Sequence, residues 1–297
     1  VVLTLLQIEL FKIFRKPRTY ISFIAIAVIV ILIQLAMKAD GPTWVRLMFS
    51  SMDGMFEIKD GNILNGYFIC FLVLNTLLAQ VPLLVALVTG DLIAGEANMG
   101  TLRLILTKPV SRGSILLAKF LAGLVYTLLL LIWIAILALF LSMAVFGTND
   151  LLVNKSYIVI QFYVDNTGDD VFWRYLAAFA LAYAALCTVA SLSFMLSVFA
   201  ENSIGPIITT MSIIIVCTII STMDMPLFQR INPFLFTSYM TAWKGFFNMK
   251  IGADGSAIRG SVYSIRAIAN AAAVLMAHVG IFYGIAWYAF KRKDVLS

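Results

Sequence analysis

The chain offers few residues of the types that do chemistry. His278 is its one histidine, so neither an H-E-x-x-H pair nor any multi-histidine metal site can be assembled. Its three cysteines, Cys70, Cys187 and Cys217, all fall inside apolar runs. They read as small packing residues with no disulfide framework. No G-x-x-x-x-G-K-[S/T] loop is present to cradle nucleotide phosphates, and no G-x-S-x-G elbow or paired carboxylate sits in an apolar run. Catalysis by this chain alone is therefore not expected, and it is expected to hold neither metal nor cofactor.

One segment carries a denser pattern. Residues 90–120 read GDLIAGEANMGTLRLILTKPVSRGSILLAKF. Asp91 and Glu96 follow a long apolar run, Gly100 breaks any helix, and Thr101 is a reasonable N-cap for a short run over 102–107. Pro109 stops that run, and Ser111 and Arg112 open the next apolar stretch. The pattern predicts a short helix between two bends. Its Leu102, Leu104, Ile105 and Leu106 offer more apolar surface than an idle loop needs, although an interfacial loop anchored by Arg and Lys would read similarly.

The elements that must position this segment are membrane spans. The chain is 297 residues long, 62% hydrophobic and 12% charged, with a mean hydropathy of +0.99. A soluble domain needs about a quarter of its residues charged, so the excess apolar surface must face lipid. A span takes about 20 apolar residues. Six runs qualify, at about 19–37, 66–90, 115–146, 175–199, 204–222 and 267–290. The third exceeds one span and must tilt or protrude. The first is too long for a cleavable signal's apolar core and lacks a small-residue cleavage site.

The net charge of +6 sits beside these runs, not on a nucleic-acid footprint. Lys12, Arg15, Lys16, Arg18, Arg103, Lys108, Arg112, Lys291, Arg292 and Lys293 crowd short segments on one side. The positive-inside rule then puts both termini in the cytoplasm, with the outer segments at 38–65, 147–174 and 223–266.

Before the first run, LTLLQIELFKIFRK places Leu3, Leu6, Leu10, Ile13 and Phe14 on one helical side. Glu9, Lys12, Arg15 and Lys16 fall on the other, with Leu5 and Ile8 as exceptions. This predicts a basic amphipathic helix in the interface plane, or a plain positive-inside anchor, with Pro17 at the bend. The outer stretches read as loops with candidate turns at Asp40-Gly41 and Asp60-Gly61. Residues 156–164 could be a strand or an interfacial segment, followed by a turn signal at 165–170. Aromatics with scattered lysines over 223–265 suggest helices lying at or dipping into the interface.

The run E-x-x-x-G-T-L-R-x-x-L-T-x-P-V-S-R from Glu96 to Arg112, followed by Lys119, resembles the signature of type-2 ABC transporter permeases. ELFKIFRKPRTY near the start, AENSIGPI after the fourth run and FKRKD at the end resemble other parts of that pattern. The resemblance implies one all-α membrane domain over 1–297 in a bacterial plasma membrane. That domain would have six spans, an amphipathic helix before the first, a coupling helix between the second and third, and short, re-entrant outer helices before the sixth. It also implies an ATPase subunit that binds ATP and Mg and docks on residues 100–112, and a second permease chain opposite this one. By the same carry-over Glu96, Gly100, Thr101, Leu102, Arg103, Leu106, Thr107, Pro109 and Arg112 couple the two subunits. The outer stretches are longer than the family minimum, so gate residues there do not transfer.

The polar groups at depth are Asn75, Gln80, Gln34 and His278. Each could line a path, or bond a neighbouring helix instead. So few fixed charges favour a hydrophobic or amphipathic cargo over a small ion. Two alternatives remain: an anchor or signal-transmitting subunit of the same fold that moves nothing, and an ion-coupled transporter using His278 or the Pro82 region.

Overall fold

A computed structural model describes residues 1–50, 57–58, 64–107, 109–148, 153–154, 171–223, 225–248, 250 and 261–292. Within these, no side chain is described at 44–50, 57–58, 78–79, 103, 106 or 153–154. The Asp60-Gly61 turn, the 156–164 run with its turn signal, Lys108 and Lys293 lie outside the described residues.

Helix α1 (Val2–Arg15) is followed by Lys16 in extended conformation, the geometry a residue before proline adopts, and Pro17 then opens α2 (Pro17–Ser50). The turn expected at Asp40-Gly41 is not formed, and α2 runs through both residues. Gly41 is buried where an added Cβ would meet the Leu64 side chain at 2.8 Å. A turn with positive φ is thus replaced by close packing, and among the described residues only Gly100 and Gly147 have positive φ.

Helix α3 (Gly66–Thr89) is bent by 54° between Gly66–Leu77 and Gln80–Thr89. Pro82 accounts for the bend, since it has no N–H to give the carbonyl four residues back and its ring crowds that carbonyl. Then follow α4 (Asp91–Asn98), α5 (Thr101–Leu106), α6 (Arg112–Ala135), a π-turn (Ile136–Phe140) and α7 (Leu141–Phe146). From Arg112 to Phe146 the chain stays helical for 35 residues. At 1.5 Å per residue that is about 52 Å, well beyond a ~30 Å hydrocarbon layer. The π-turn's Leu137 carbonyl accepts from Gln34 Nε2 at 3.0 Å, and Ser142 Oγ accepts from the same nitrogen at 2.8 Å. Gln34 therefore ties α2 to this helix.

The remaining elements are α8 (Val171–Phe199), α9 (Ile204–Thr222), α10 (Pro226–Ile231), three 3₁₀ turns (Asn232–Phe234, Phe236–Tyr239, Ala242–Phe247) and α11 (Ile265–Arg292). Two-residue strands β1 (Glu57–Ile58) and β2 (Val153–Asn154) pair antiparallel. Five helices are long and apolar enough to cross a membrane, and the bent α3 makes up to six.

Helix α8 is the hub. Its apolar window is 72% buried, against 17% for α9 and α11. Alanines and serines at Ala178, Ala182, Ala185, Ala190, Ser191, Ser193 and Ser197 keep its surface narrow, so neighbouring backbones approach. Its hydroxyls bond across to other helices: Thr188 Oγ1 donates to Leu275 O at 3.2 Å, Ser193 Oγ to Ala86 O at 3.2 Å and Tyr183 Oη to Leu124 O at 3.1 Å. At the end remote from α5, buried Arg174 donates to Phe246 O at 2.6 Å and Ser261 O at 3.0 Å, holding the last 3₁₀ turn against α8.

Candidate functional site: a coupling segment on a charged clamp

Gly90 marks where α3 passes into α4. An added Cβ there would meet Ala86 O and Ser193 Oγ at 2.8 Å, so only glycine lets the two helices and α8 converge. The amides of Ile93 and Ala94 donate to Ser197 Oγ on α8 at 3.1 and 2.9 Å. A side chain from another helix thus caps the start of α4.

Beyond this cap lies a closed ring of four charges. Lys12 Nζ on α1 is 2.7 Å from Glu9 Oε1 and 2.8 Å from Glu96 Oε1 on α4. Lys119 Nζ on α6 is 2.9 Å from Glu9 Oε2 and 2.7 Å from Glu96 Oε2. Each lysine bridges both carboxylates, and the ring is neutral. Lys119 is fully buried and both carboxylates are nearly so. Burial alone would push the Glu96 carboxyl up, but the charges and hydrogen bonds of Lys119 and Lys12 outweigh it and hold the group below its ordinary 4.5. Burial likewise opposes charge on Lys12, yet its bonds to Glu9 and Glu96 raise it above 10.5.

A second knot lies beside the ring. Asp91 meets Lys16 Nζ at 2.6 Å and Arg18 at 2.8 Å, and accepts from the Ser203 hydroxyl on the turn before α9. Together the two knots fasten α1, the start of α2, α4, α6 and the α8–α9 turn.

Helix α5 projects from this clamp. Gly100 precedes it with φ +69°, and nothing lies within 4 Å of where its Cβ would be. The N-cap is Gly100, not Thr101, because the Thr101 hydroxyl instead donates back to the Glu96 carbonyl at 3.3 Å and closes α4. Leu102 is buried, while Leu104 is 67% and Met99 59% exposed. Thr107, Pro109 and Arg112 are exposed, and Arg112 reaches the Lys291 carbonyl at 3.3 Å. Ser111 caps α6 by accepting from Ser114 N at 3.1 Å. The side chains of Arg103 and Leu106 lie outside the described residues.

The expected coupling residues therefore divide. Thr107, Pro109 and Arg112 face outward with Leu104 and Met99, while Glu96, Leu102 and Thr101 hold the segment from behind. Sequence reasoning missed Glu9, Ser197 and Ser203 altogether, and assigned Asp91 and Lys119 no contact. The signal for the ring was the imbalance of isolated charges at positions 9, 96 and 119 in apolar surroundings, which must find partners when buried. Helix α1 also departs from the expected division. Part of its charged side, Glu9 with Lys12, turns inward to the ring, and Leu3, Ile8 and Phe11 are exposed.

The deep polar residues separate too. Asn75 and Pro82 on α3, with Ile214 and Thr218 on α9 and Thr237, Trp243 and Lys244 on the 3₁₀ turns, line a mostly apolar cleft of about 350 Å³. The Trp243 indole N–H and the Thr237 hydroxyl are buried there without a partner among the described residues. Gln80 is exposed and does not line the cleft. His278 spends Nδ1 on its own helix, 2.8 Å from Val274 O, and packs between Phe236 and Phe282.

A bundle of apolar helices of spanning length, with a projecting segment at one end, defines a multi-pass membrane protein. Residues 3–295 match the family described as ABC-2 family transporter protein, and the chain belongs to that family. Its members are non-enzymatic permease components that normally work with an ATPase subunit. The chain is also 32% identical over 123 residues to "Uncharacterized protein YhcI" of Bacillus subtilis (strain 168). That match covers 39% of this chain and 37% of the relative, well under two thirds of the relative's length.

Proposed function

We propose that the chain is the membrane-spanning half of an ATP-driven exporter, and that a separate ATPase subunit, which binds ATP and Mg, presses on residues 100–112. The observation that carries this reading is the contrast between α5 and its mount. Leu104 and Met99 offer an exposed apolar contact, while α4 behind them is fixed by buried ion pairs to α1 and α6. A push on α5 would thus move α3 and α6 together, as a two-state element biased from one end requires. Both termini and α5 would lie in the cytoplasm, and a second permease chain would face this one.

The cleft between α3 and α9 supplies the path. Its apolar walls, with Asn75, Thr218, Thr237 and Lys244 as polar points, fit a hydrophobic or amphipathic cargo better than a small ion. Gln80 and His278 take secondary places at most. The test is co-purification with an ATPase, followed by ATP-dependent cargo movement in liposomes. A partner whose turnover cargo stimulates supports the proposal. Binding without transport would indicate an anchor, and gradient-driven movement without ATP would indicate an ion-coupled carrier.

A further inference from the structure

The α5 end of the bundle carries a second concave surface that the coupling scheme does not use. Val198 and Phe199 at the end of α8, with Ile285, Tyr288, Ala289 and Arg292 on α11, enclose a groove of about 510 Å³. Its walls are almost wholly apolar, and Phe199, Ile285 and Tyr288 are exposed rather than sealed by the protein.

The rim is cationic. Lys291 Nζ stands 3.7 Å from the centre of the Trp287 ring, and the Arg292 guanidinium 4.2 Å from that of Tyr288. These rings hold the two cations in place without cancelling their charge. Neither joins any of the described ion pairs. Glu201, on the turn after α8, joins none of them either, and Asp294 lies outside the described residues. Trp287 and Tyr288 are exposed one turn before the cations, as aromatic side chains are at the level of lipid headgroups.

An apolar slot opening to the bilayer, topped by two aromatic-mounted cations at helix-end depth, matches one kind of molecule. We infer that the groove between the α5-side ends of α8 and α11 binds an anionic phospholipid, with an acyl chain along Phe199, Ile285 and Ala289 and its phosphate at Lys291 and Arg292. Basic pockets between spanning helices take acidic headgroups by the same chemistry. Charge decides for lipid over a second copy of this chain, whose matching surface would bring the same cations. Arg112, at the start of α6, bonds the Lys291 carbonyl, so the bound lipid braces the root of the coupling segment. The inference rests on the chain being embedded in lipid and not on the export scheme, so either can fail alone.

The experiment is native mass spectrometry of the full chain in detergent, titrated with phosphatidylglycerol or with phosphatidylcholine of the same acyl chains. Phosphatidylglycerol should be retained at least tenfold better. The double variant Lys291→Gln/Arg292→Gln should weaken it by about 25-fold, roughly fivefold per cation, and leave phosphatidylcholine unchanged. Lys291→Arg/Arg292→Lys should keep the preference, and Ala289→Trp should lose both lipids with the charges intact. Arg230→Gln, an exposed charge near the opposite end, should change nothing. Equal retention of the two lipids, an unaffected double variant, or displacement by glycerol phosphate as efficient as by lipid would overturn the site. So would disulfide dimers as the main product of Tyr288→Cys in membranes.

Discussion

Lys119→Met is the sharpest perturbation of the clamp. Methionine approximates the length of the lysine stem, so the packing of α6 on α1 and α4 survives while the charge is lost. Lys119 is fully buried and bridges two nearly buried carboxylates, at 2.9 Å from Glu9 and 2.7 Å from Glu96. Its removal leaves two anions sharing Lys12 alone, an excess buried charge that costs about 3–5 kcal/mol. The double variant Glu9→Gln/Lys119→Met restores neutrality, because Lys12 and Glu96 still form a complete pair. It should recover at least about 2 kcal/mol of that loss, a coupling energy typical of residues in one ion-pair network. The assay is SDS-titrated unfolding of the detergent-solubilised protein for wild type, both single variants and the double. If the two single losses simply added, or if Lys119→Met stayed within about 0.5 kcal/mol of wild type, the ring would not hold α1, α4 and α6 together.

Other expected outcomes follow from the same geometry. Gly100→Val forces a β-branched residue into the left-handed region, a strain of about 1–2 kcal/mol that neighbouring atoms do not add to; coupled ATPase turnover should fall while membrane insertion, followed by protease protection, is unchanged. Glu96 is held below 4.5, so its stabilising contribution is complete above that pH and is lost as pH falls through the lowered value. Lys12 is held above 10.5, so its contribution is complete below that pH and is lost as pH rises through the raised value. The stability difference between wild type and Glu96→Gln should therefore be flat from about pH 5 to pH 10 and shrink below pH 4.5 in a thermal-shift series. Ser197→Ala leaves the Ile93 and Ala94 amides without their shared acceptor and should cost about 1–3 kcal/mol in the same unfolding titration.

Much of this architecture was legible in the residues because lipid imposes a simple length rule. The runs at 115–146, 204–222 and 267–290 correspond closely to helices Arg112–Phe146, Ile204–Thr222 and Ile265–Arg292. Gly100 and Pro109 bound the short α5 for local backbone reasons that a sequence displays directly. The turn at Asp40-Gly41 failed because local turn chemistry lost to the packing of Gly41 under Leu64. The ring was illegible for a different reason. Its pairs lie 84 and 110 residues apart, and nothing in local periodicity says which buried charge meets which. Lys119 in isolation is a basic residue near a span end, and only the folded helices reveal it as a bridge between two carboxylates. Glu96 likewise carried a family motif but no indication that it turns inward.

The central claim is that an ATPase subunit presses on α5. It is tested most directly by a photo-crosslinking amino acid at Leu104, which is exposed and apolar, in the complex of this chain with its ATPase. A crosslink to that subunit, changing in yield with ATP and absent from an equally exposed position such as Phe234 at the other end of the bundle, is the predicted result. Efficient crosslinking from Phe234 with none from Leu104 would contradict the claim.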